Sequence, residues 1–158
     1  NDKPRVNMAT VGKIVDMGVC DQNNMGAAMA PAAADTIARF FRDSGTSPKD
    51  YDMIYTGDLG KIGSKLLYEL LKNDGINISD RHKDCGMMIY AKGDPDVHSG
   101  GSGCGCCGSV LCAHILKNVQ SKKQNNILVI ATGALLSPTS VQQNSTIPCI
   151  AHLVNIVI

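Results

Sequence analysis

Apolar positions recur with two different periods along this chain, and the switches between them mark out its elements. From Gly26 onward, Ala30, Ala33, Ala34, Ile37, Phe40 and Phe41 fall at i, i+3, i+4, i+7, i+10 and i+11, which is one face of a helix. Pro31 suits the first turn of that helix and Gly45 its end. Ile62, Leu66, Leu67, Leu70 and Leu71 form a second stripe, closed by Lys72 and Gly75. Short β-rich runs read as strands at residues 11–19, 51–56, 85–91, 127–132 and 149–158. With a third helix from residue 103 to 116, the order is strand, helix, strand, helix, strand, helix, strand, strand. That alternation predicts an α/β layered domain on a largely parallel sheet. The last two strands have no helix between them, so the final one is expected to run antiparallel.

Charge changes the picture of the third helix. Residues 1–96 hold all 14 acids and 12 basic residues, whereas residues 97–158 hold no acid and only Lys117, Lys122 and Lys123. A helix without a charged stripe is normally buried all round. The helix at 103–116 is therefore expected to lie between its own sheet and a second layer that this chain does not supply.

At 158 residues the chain is long enough to bury a core without disulfides or metals. Fifteen basic residues against 14 acidic ones argue against an electrostatic nucleic-acid binder. No apolar run approaches the roughly 18 residues of a membrane span. No signal peptide is visible, and the first residue is Asn1 rather than Met. The seven cysteines are odd in number, and four of them crowd into residues 104–112, so they read as reduced thiols of an intracellular protein.

Several motifs admit a functional and a plainer reading. Gly103, Gly105 and Gly108 match G-x-G-x-x-G, but a long loop precedes them and no acid follows Asp96, which rejects a dinucleotide site. What remains is a glycine-rich turn entering a helix, either to receive an anion on free N–H groups or to permit close packing, and the two are compatible. Cys104, Cys106, Cys107 and Cys112 lack the paired spacing of a zinc site and read as small side chains in a dry interface. His98 precedes the glycine run as a ligand-binding or acid–base candidate, or as an ordinary loop histidine. His82, among Asp80, Arg81, Lys83 and Asp84, reads as solvated, and His114 and His152 as structural. Thr56-Gly57-Asp58 lies at a strand end, where α/β proteins gather ligands, but the capping of the second helix by Asp58 is the favoured reading. Met25 and Met29 offer a pocket wall or core packing.

Four strings, at residues 20–31, 55–60, 96–106 and 131–140, closely resemble the stage V sporulation protein AD family of endospore-forming bacteria. The resemblance runs over essentially the whole chain and about the C-terminal half of the family protein, so residues 1–158 would be one domain lacking its N-terminal companion. It implies a thiolase-like fold. Each half would be a three-layer α/β/α unit on a mixed five-stranded sheet of order 3-2-1-4-5, with strand 5 antiparallel. The third helices of the two halves would share a central layer.

The resemblance further implies binding of dipicolinic acid for its uptake into the developing spore, alongside SpoVA-type membrane proteins. The expected location is cytoplasmic or peripheral at the forespore or spore inner membrane, with a link to germination. No cofactor or metal is implied, and self-association is expected. A rigid dianion wants converging N–H groups, a helix N-terminus, a cation or His, and an apolar wall for its ring. His98, Ser99, Gly101, Ser102, Gly103 and Cys104 would supply the polar side of the site, with Met25, Thr56 and Asp58 from the two earlier strand ends. The enzymes of the superfamily pair a Cys with His and Asn or a second His. Here Thr56-Gly57-Asp58 stands where one His would be, and residues 131–140 contain no Cys. That incomplete set favours a non-catalytic binder, with an acyl-CoA condensing or thiolytic enzyme that retains His98 as the alternative.

Overall fold

The computed structural model describes residues 3–91, 95–101 and 103–158. The first half of the chain forms β1 (Arg5–Thr10), α1 (Met25–Ser44), β2 (Met53–Thr56), α2 (Gly60–Asn73), β3 (His82–Asp84) and the short α3 (Cys85–Met88). A third rod follows, made of α4 (Cys106–Val110), a π-helical turn (Leu111–Ile115) and α5 (Leu116–Gln120). Then come β4 (Asn126–Ala134), the short α6 (Pro138–Gln142) and β5 (Cys149–Val157).

The α/β class, the mixed five-stranded sheet and the antiparallel last strand are as the sequence implies. The strand order is not. It runs β1-β5-β4-β2-β3, with β4 parallel to β2, β2 parallel to β3, and β5 antiparallel to both β4 and β1. The first strand therefore lies at an edge, not between the second and fourth. Part of the reason is a polar rung across three strands. The buried Asn155 of β5 donates to Asn126 of β4 at 2.6 Å and accepts from Asn7 of β1 at 3.0 Å, so each amide satisfies its neighbour. The first strand also falls earlier than expected, at 5–10 rather than 11–19. Beyond it Gly12 passes so close to β5 that a Cβ there would meet the Ala151 carbonyl oxygen at 1.9 Å, and only Val15 still bridges to Cys149.

Strand residues alternate between two helical layers, giving the three-layer α/β/α arrangement. Ile54, Leu128, Ile130 and Leu153 face α1 and α2, while Tyr55, Ile127, Val129 and Ile156 face the third rod. The first helix starts at Met25, capped by the Asn24 side chain, so Pro31 sits inside the second turn instead of the first. There its ring removes only the bond that would have reached Ala27. Gly45 closes the helix with φ 67°, the left-handed conformation a glycine takes freely. In α2, Leu67 and Leu71 are buried but Ile62 and Leu66 face outward, because Gly63 occupies the contact with α1. A Cβ on Gly26 would lie 2.3 Å from the Leu59 carbonyl oxygen and 3.1 Å from the Gly63 Cα, so the two helices touch backbone to backbone.

The third strand also shifts, to 82–84, and the expected strand at 85–91 begins as the helical turn α3. The third rod extends to residue 120 and buries Cys106, Val110, Ile115 and Val119 on the sheet. Its other side, with Gly105, Gly108, Ser109, Cys112, Ala113 and His114, is exposed. No described helix is long and apolar enough to cross a membrane.

Candidate functional site

The carboxyl ends of β2 and β4 and the start of α1 surround a cleft of about 560 Å³. Six of the residues singled out from the sequence converge on it: Met25, Asp58, Ser99, Gly101, Gly103 and Cys104. Thr132 and Gly133, from the string at 131–140, line it too, so all four strings that carry the family resemblance meet there.

The other three site residues fall elsewhere. Thr56 is fully buried beneath the cleft floor. His98 is exposed, with φ 50°, and is not among the residues that line the cleft. Ser102 lies outside the described residues.

Asp58 is the acid of the cleft. Its Oδ1 accepts from the Thr132 hydroxyl at 3.0 Å, its own N–H donates to Thr132 Oγ1 at 3.2 Å, and its carboxyl accepts the Gly103 amide. Burial pushes its carboxyl above the ordinary aspartate value, the Thr132 bond works the other way, and the nearby Asp84 adds to the rise.

These contacts alter the expected anion cradle. The Gly100 amide donates to the Val97 carbonyl at 2.9 Å and the Gly101 amide to the Gly86 carbonyl at 2.9 Å, while Gly103 serves Asp58. The glycine run is therefore a tightly bonded turn, and the anion it holds is the chain's own carboxylate. Its glycines are nonetheless required. Gly100 and Gly101 have φ of 77° and 95°, and a Cβ on Gly100 would meet the Gly86 carbonyl oxygen at 2.6 Å.

Asp58 does not cap α2. That role belongs to Asp84, at the end of the neighbouring parallel strand, which accepts the amides of Leu59 and Gly60 at 2.9 Å each. The Thr56 hydroxyl also donates to Asp84, at 2.6 Å. Having given its only proton, Thr56 Oγ1 must accept from His82 Nε2 at 2.8 Å, which leaves Nδ1 to accept from the Tyr68 hydroxyl at 2.7 Å. The result is a directed chain, Tyr68 to His82 to Thr56 to Asp84, running under the cleft. His82 is thus not the solvated residue its charged neighbours suggest, and burial lowers its pKa to about 4. Burial raises Asp84, against the four hydrogen bonds that favour its charged form.

This network escaped the sequence reading because it depends on register. Thr56 stands opposite Asp84, and Ile54 opposite His82, only once β3 is placed at 82–84. The available signal was the spacing His82-x-Asp84, which puts both side chains on one face of a strand.

Of the remaining histidines, His152 has the structural part expected of it in the last strand, whereas His114 is not on a buried helix. His114 is exposed on the third rod, 3.1 Å from the Asn118 amide, and His152 is exposed on β5, where Nδ1 accepts the Gly12 amide at 3.0 Å. All seven cysteines are free thiols. Cys85 is buried beside Cys107, and the bond between them, then burial, keep it protonated. Among the described residues no three His, Cys, Asp or Glu side chains converge as metal donors.

The sequence profile described as stage V sporulation protein AD matches residues 1–157. Stage V sporulation protein AD of Bacillus subtilis (strain 168) is 50% identical over 148 residues, covering 94% of this chain and 44% of that relative. The chain thus spans less than half the length of the curated relative it matches. Among solved structures, 3-oxoacyl-[acyl-carrier-protein] synthase III from Aquifex aeolicus VF5 aligns with a TM-score of 0.42 at 14% identity, covering 87% of this chain and 40% of that one. The profile match along nearly the whole sequence and the half-identical relative place the chain in the stage V sporulation protein AD family.

Proposed function

We propose that the Asp58 cleft forms one side of a binding site for dipicolinic acid, used to load that compound into the developing spore. The observation that carries this reading is the convergence of all four family-like strings on one cleft at the carboxyl ends of β2 and β4. Its chemistry suits a small flat ligand. Met25, Met29 and Ile62 offer an apolar wall for a ring, and the Asn23 side-chain amide offers a polar contact for a carboxylate.

Asp58 has a defined part in the proposal. Among the described residues lining the cleft it is the only carboxylate, and no Lys or Arg accompanies it. The cation that a dianion requires would come from the part of the longer protein that this chain does not span. The same part would cover the outer side of the third rod from Gly105 to His114, which carries no Lys, Arg, Asp or Glu. An ionised Asp58 repels the ligand, while a protonated one donates a hydrogen bond to it.

The alternative is an acyl-CoA condensing or thiolytic enzyme. Against it, among the described residues no histidine lines the cleft, and His98 lies outside its walls. The proposal extends to a peripheral position at the spore inner membrane, beside SpoVA-type membrane proteins.

Calorimetric titration of the full-length protein with dipicolinate and with acetyl-CoA separates the two readings. Saturable heat is expected with dipicolinate alone, and Asp58→Asn should tighten binding about tenfold by removing one like-charge repulsion. Heat with acetyl-CoA and none with dipicolinate would reverse the assignment.

A further inference from the structure

Two thiols beneath the third rod have no part in the Asp58 cleft. Cys85 opens α3 at the end of β3, and Cys107 lies in the first turn of α4. Gly57 brings them together. Its carbonyl accepts the Gly86 amide at 3.1 Å, next to Cys85, and a Cβ added to Gly57 would lie 3.6 Å from the Cys107 Cβ. Both cysteines belong to the apolar cluster between the sheet and the third rod, with Cys85 fully buried and Cys107 half-buried at its margin. We propose that they form a modification site for small hydroperoxides, with Cys107 as the attacking sulfur and Cys85 as the resolving one.

Position assigns the two roles. Cys107 is the member a reagent can reach, and Cys85 meets only what Cys107 has become. A hydroperoxide is small and uncharged, which suits a half-buried thiol in apolar surroundings. The Cys85 thiol donates to the Cys107 sulfur, and this bond lowers the Cys107 thiol below its ordinary value, against burial and the nearby Asp58 and Asp84. The thiolate is the nucleophilic form of cysteine.

The chemistry closes on these two residues. The Cys107 sulfur attacks one peroxide oxygen and the O–O bond breaks. A sulfenic acid forms on Cys107, and the departing oxygen takes the proton that the Cys107 thiol gave up. The Cys85 sulfur then attacks the Cys107 sulfur, the S–O bond breaks, and the hydroxyl leaves as water with the Cys85 proton. Two thiols are oxidised to one disulfide, and the hydroperoxide is reduced to an alcohol and water, or to two waters for hydrogen peroxide. The sulfurs must close to about 2.05 Å. Both residues occupy the first turn of a helix, where no preceding turn blocks rotation about χ1. The bridge would tie α3 to the third rod.

The test treats the reduced full-length protein with hydrogen peroxide, alkylates the remaining thiols and maps them by peptide mass spectrometry. A Cys85–Cys107 bridge that dithiothreitol reverses is expected, formed about tenfold faster than the oxidation of the exposed Cys104 and Cys112. In Cys85→Ala, Cys107 should instead accumulate as a sulfenic acid that dimedone traps. Cys107→Ser should leave Cys85 reduced. Denaturing urea should erase the preference for Cys107, because the fold creates it and the adjacent Cys106 does not. The map of the unsubstituted protein decides the pairing whatever the stability of the variants. Absence of the bridge, faster oxidation of Cys104 or Cys112, a bridge from Cys85 to Cys106, or a preference that survives urea would each overturn the assignment.

Discussion

The two helical layers on opposite faces of the sheet are built by different rules. On one face α1 and α2 pack into a finished layer. Their glycines meet backbone to backbone at Gly26 and Gly63, and Phe40, Phe41 and Tyr51 cluster with ring centroids 5.7–6.0 Å apart. On the other face the third rod seats one side on the sheet and, from Gly105 to His114, turns a surface of Gly, Ser, Cys, Ala and His outward, with Lys117 as the first charged side chain beyond it. Small side chains therefore carry two meanings in this molecule. In α1 and α2 they mark a contact already made. In the third rod they line a surface that is exposed in this chain, the one that the proposal above assigns to the rest of the longer protein to cover.

Glycine substitutions break this comparison most sharply. Gly26→Val would drive a branched side chain into the Leu59 carbonyl and the Gly63 backbone, none of which can rotate away. A loss of ~3 kcal/mol or more is expected, read as a fall in the denaturant midpoint. Gly108 has nothing within 4 Å of its added Cβ. Gly108→Ala should stabilise the 158-residue chain by up to ~1 kcal/mol through helix propensity. In the full-length protein the same change should destabilise if the surface is covered. A gain of equal size in both would mean the outer side of the rod stays open.

The buried network under the cleft predicts an acid limit on stability. His82 titrates near 4 in the folded chain and near 6.5 when unfolded, so the unfolded state binds the extra proton first. Its contribution is present above pH 6.5 and is lost as pH falls towards 4, on the order of 2–3 kcal/mol. Denaturant melts at pH 7 and pH 4.5 measure it, and His82→Gln should flatten the difference. Thr56→Val tests the same chain at constant pH. It leaves the His82 N–H without an acceptor and removes a donor from Asp84, for an expected loss of ~2 kcal/mol. An unchanged melting temperature would show that the network carries no stability.

Periodicity made the helices legible, because a stripe such as Ala30, Ala33, Ala34, Ile37 fixes both the element and its buried face. The missing acids after Asp96 likewise exposed the unusual surface of the third rod. Strand placement was harder to read. Residues 11–19 alternate as a strand should, yet the Asn7–Asn155–Asn126 rung pairs the preceding segment instead. No local pattern announces a rung made by residues nearly the whole chain apart. The site shows the same division. Strings of adjacent residues located the cleft, whereas Asp84 serving the amides of α2 across a strand pair required the register. Reading glycines as free N–H donors also failed, since neighbouring carbonyls and Asp58 already accept those amides.

The smallest expected effect distinguishes the two acids near the cleft floor. Asp84 has amide and hydroxyl partners that its charge requires, so Asp84→Asn should be harmful. Asp58 has fewer, and burial raises its folded pKa above the unfolded value. A group shifted upward in this way supports the fold fully below its unfolded pKa and loses that contribution as pH rises through the folded one. At neutral pH the ionised Asp58 is therefore a mild liability. Asp58→Asn keeps an oxygen for the Thr132 hydroxyl and the Gly103 amide while removing the charge. It should raise stability at pH 7 by up to ~1 kcal/mol, with the gain vanishing below pH ~4, where the parent carboxyl is also neutral. A gain that persists at acid pH would show that the charge is not its source, and a loss at pH 7 would show that the Gly103 amide needs a full carboxylate.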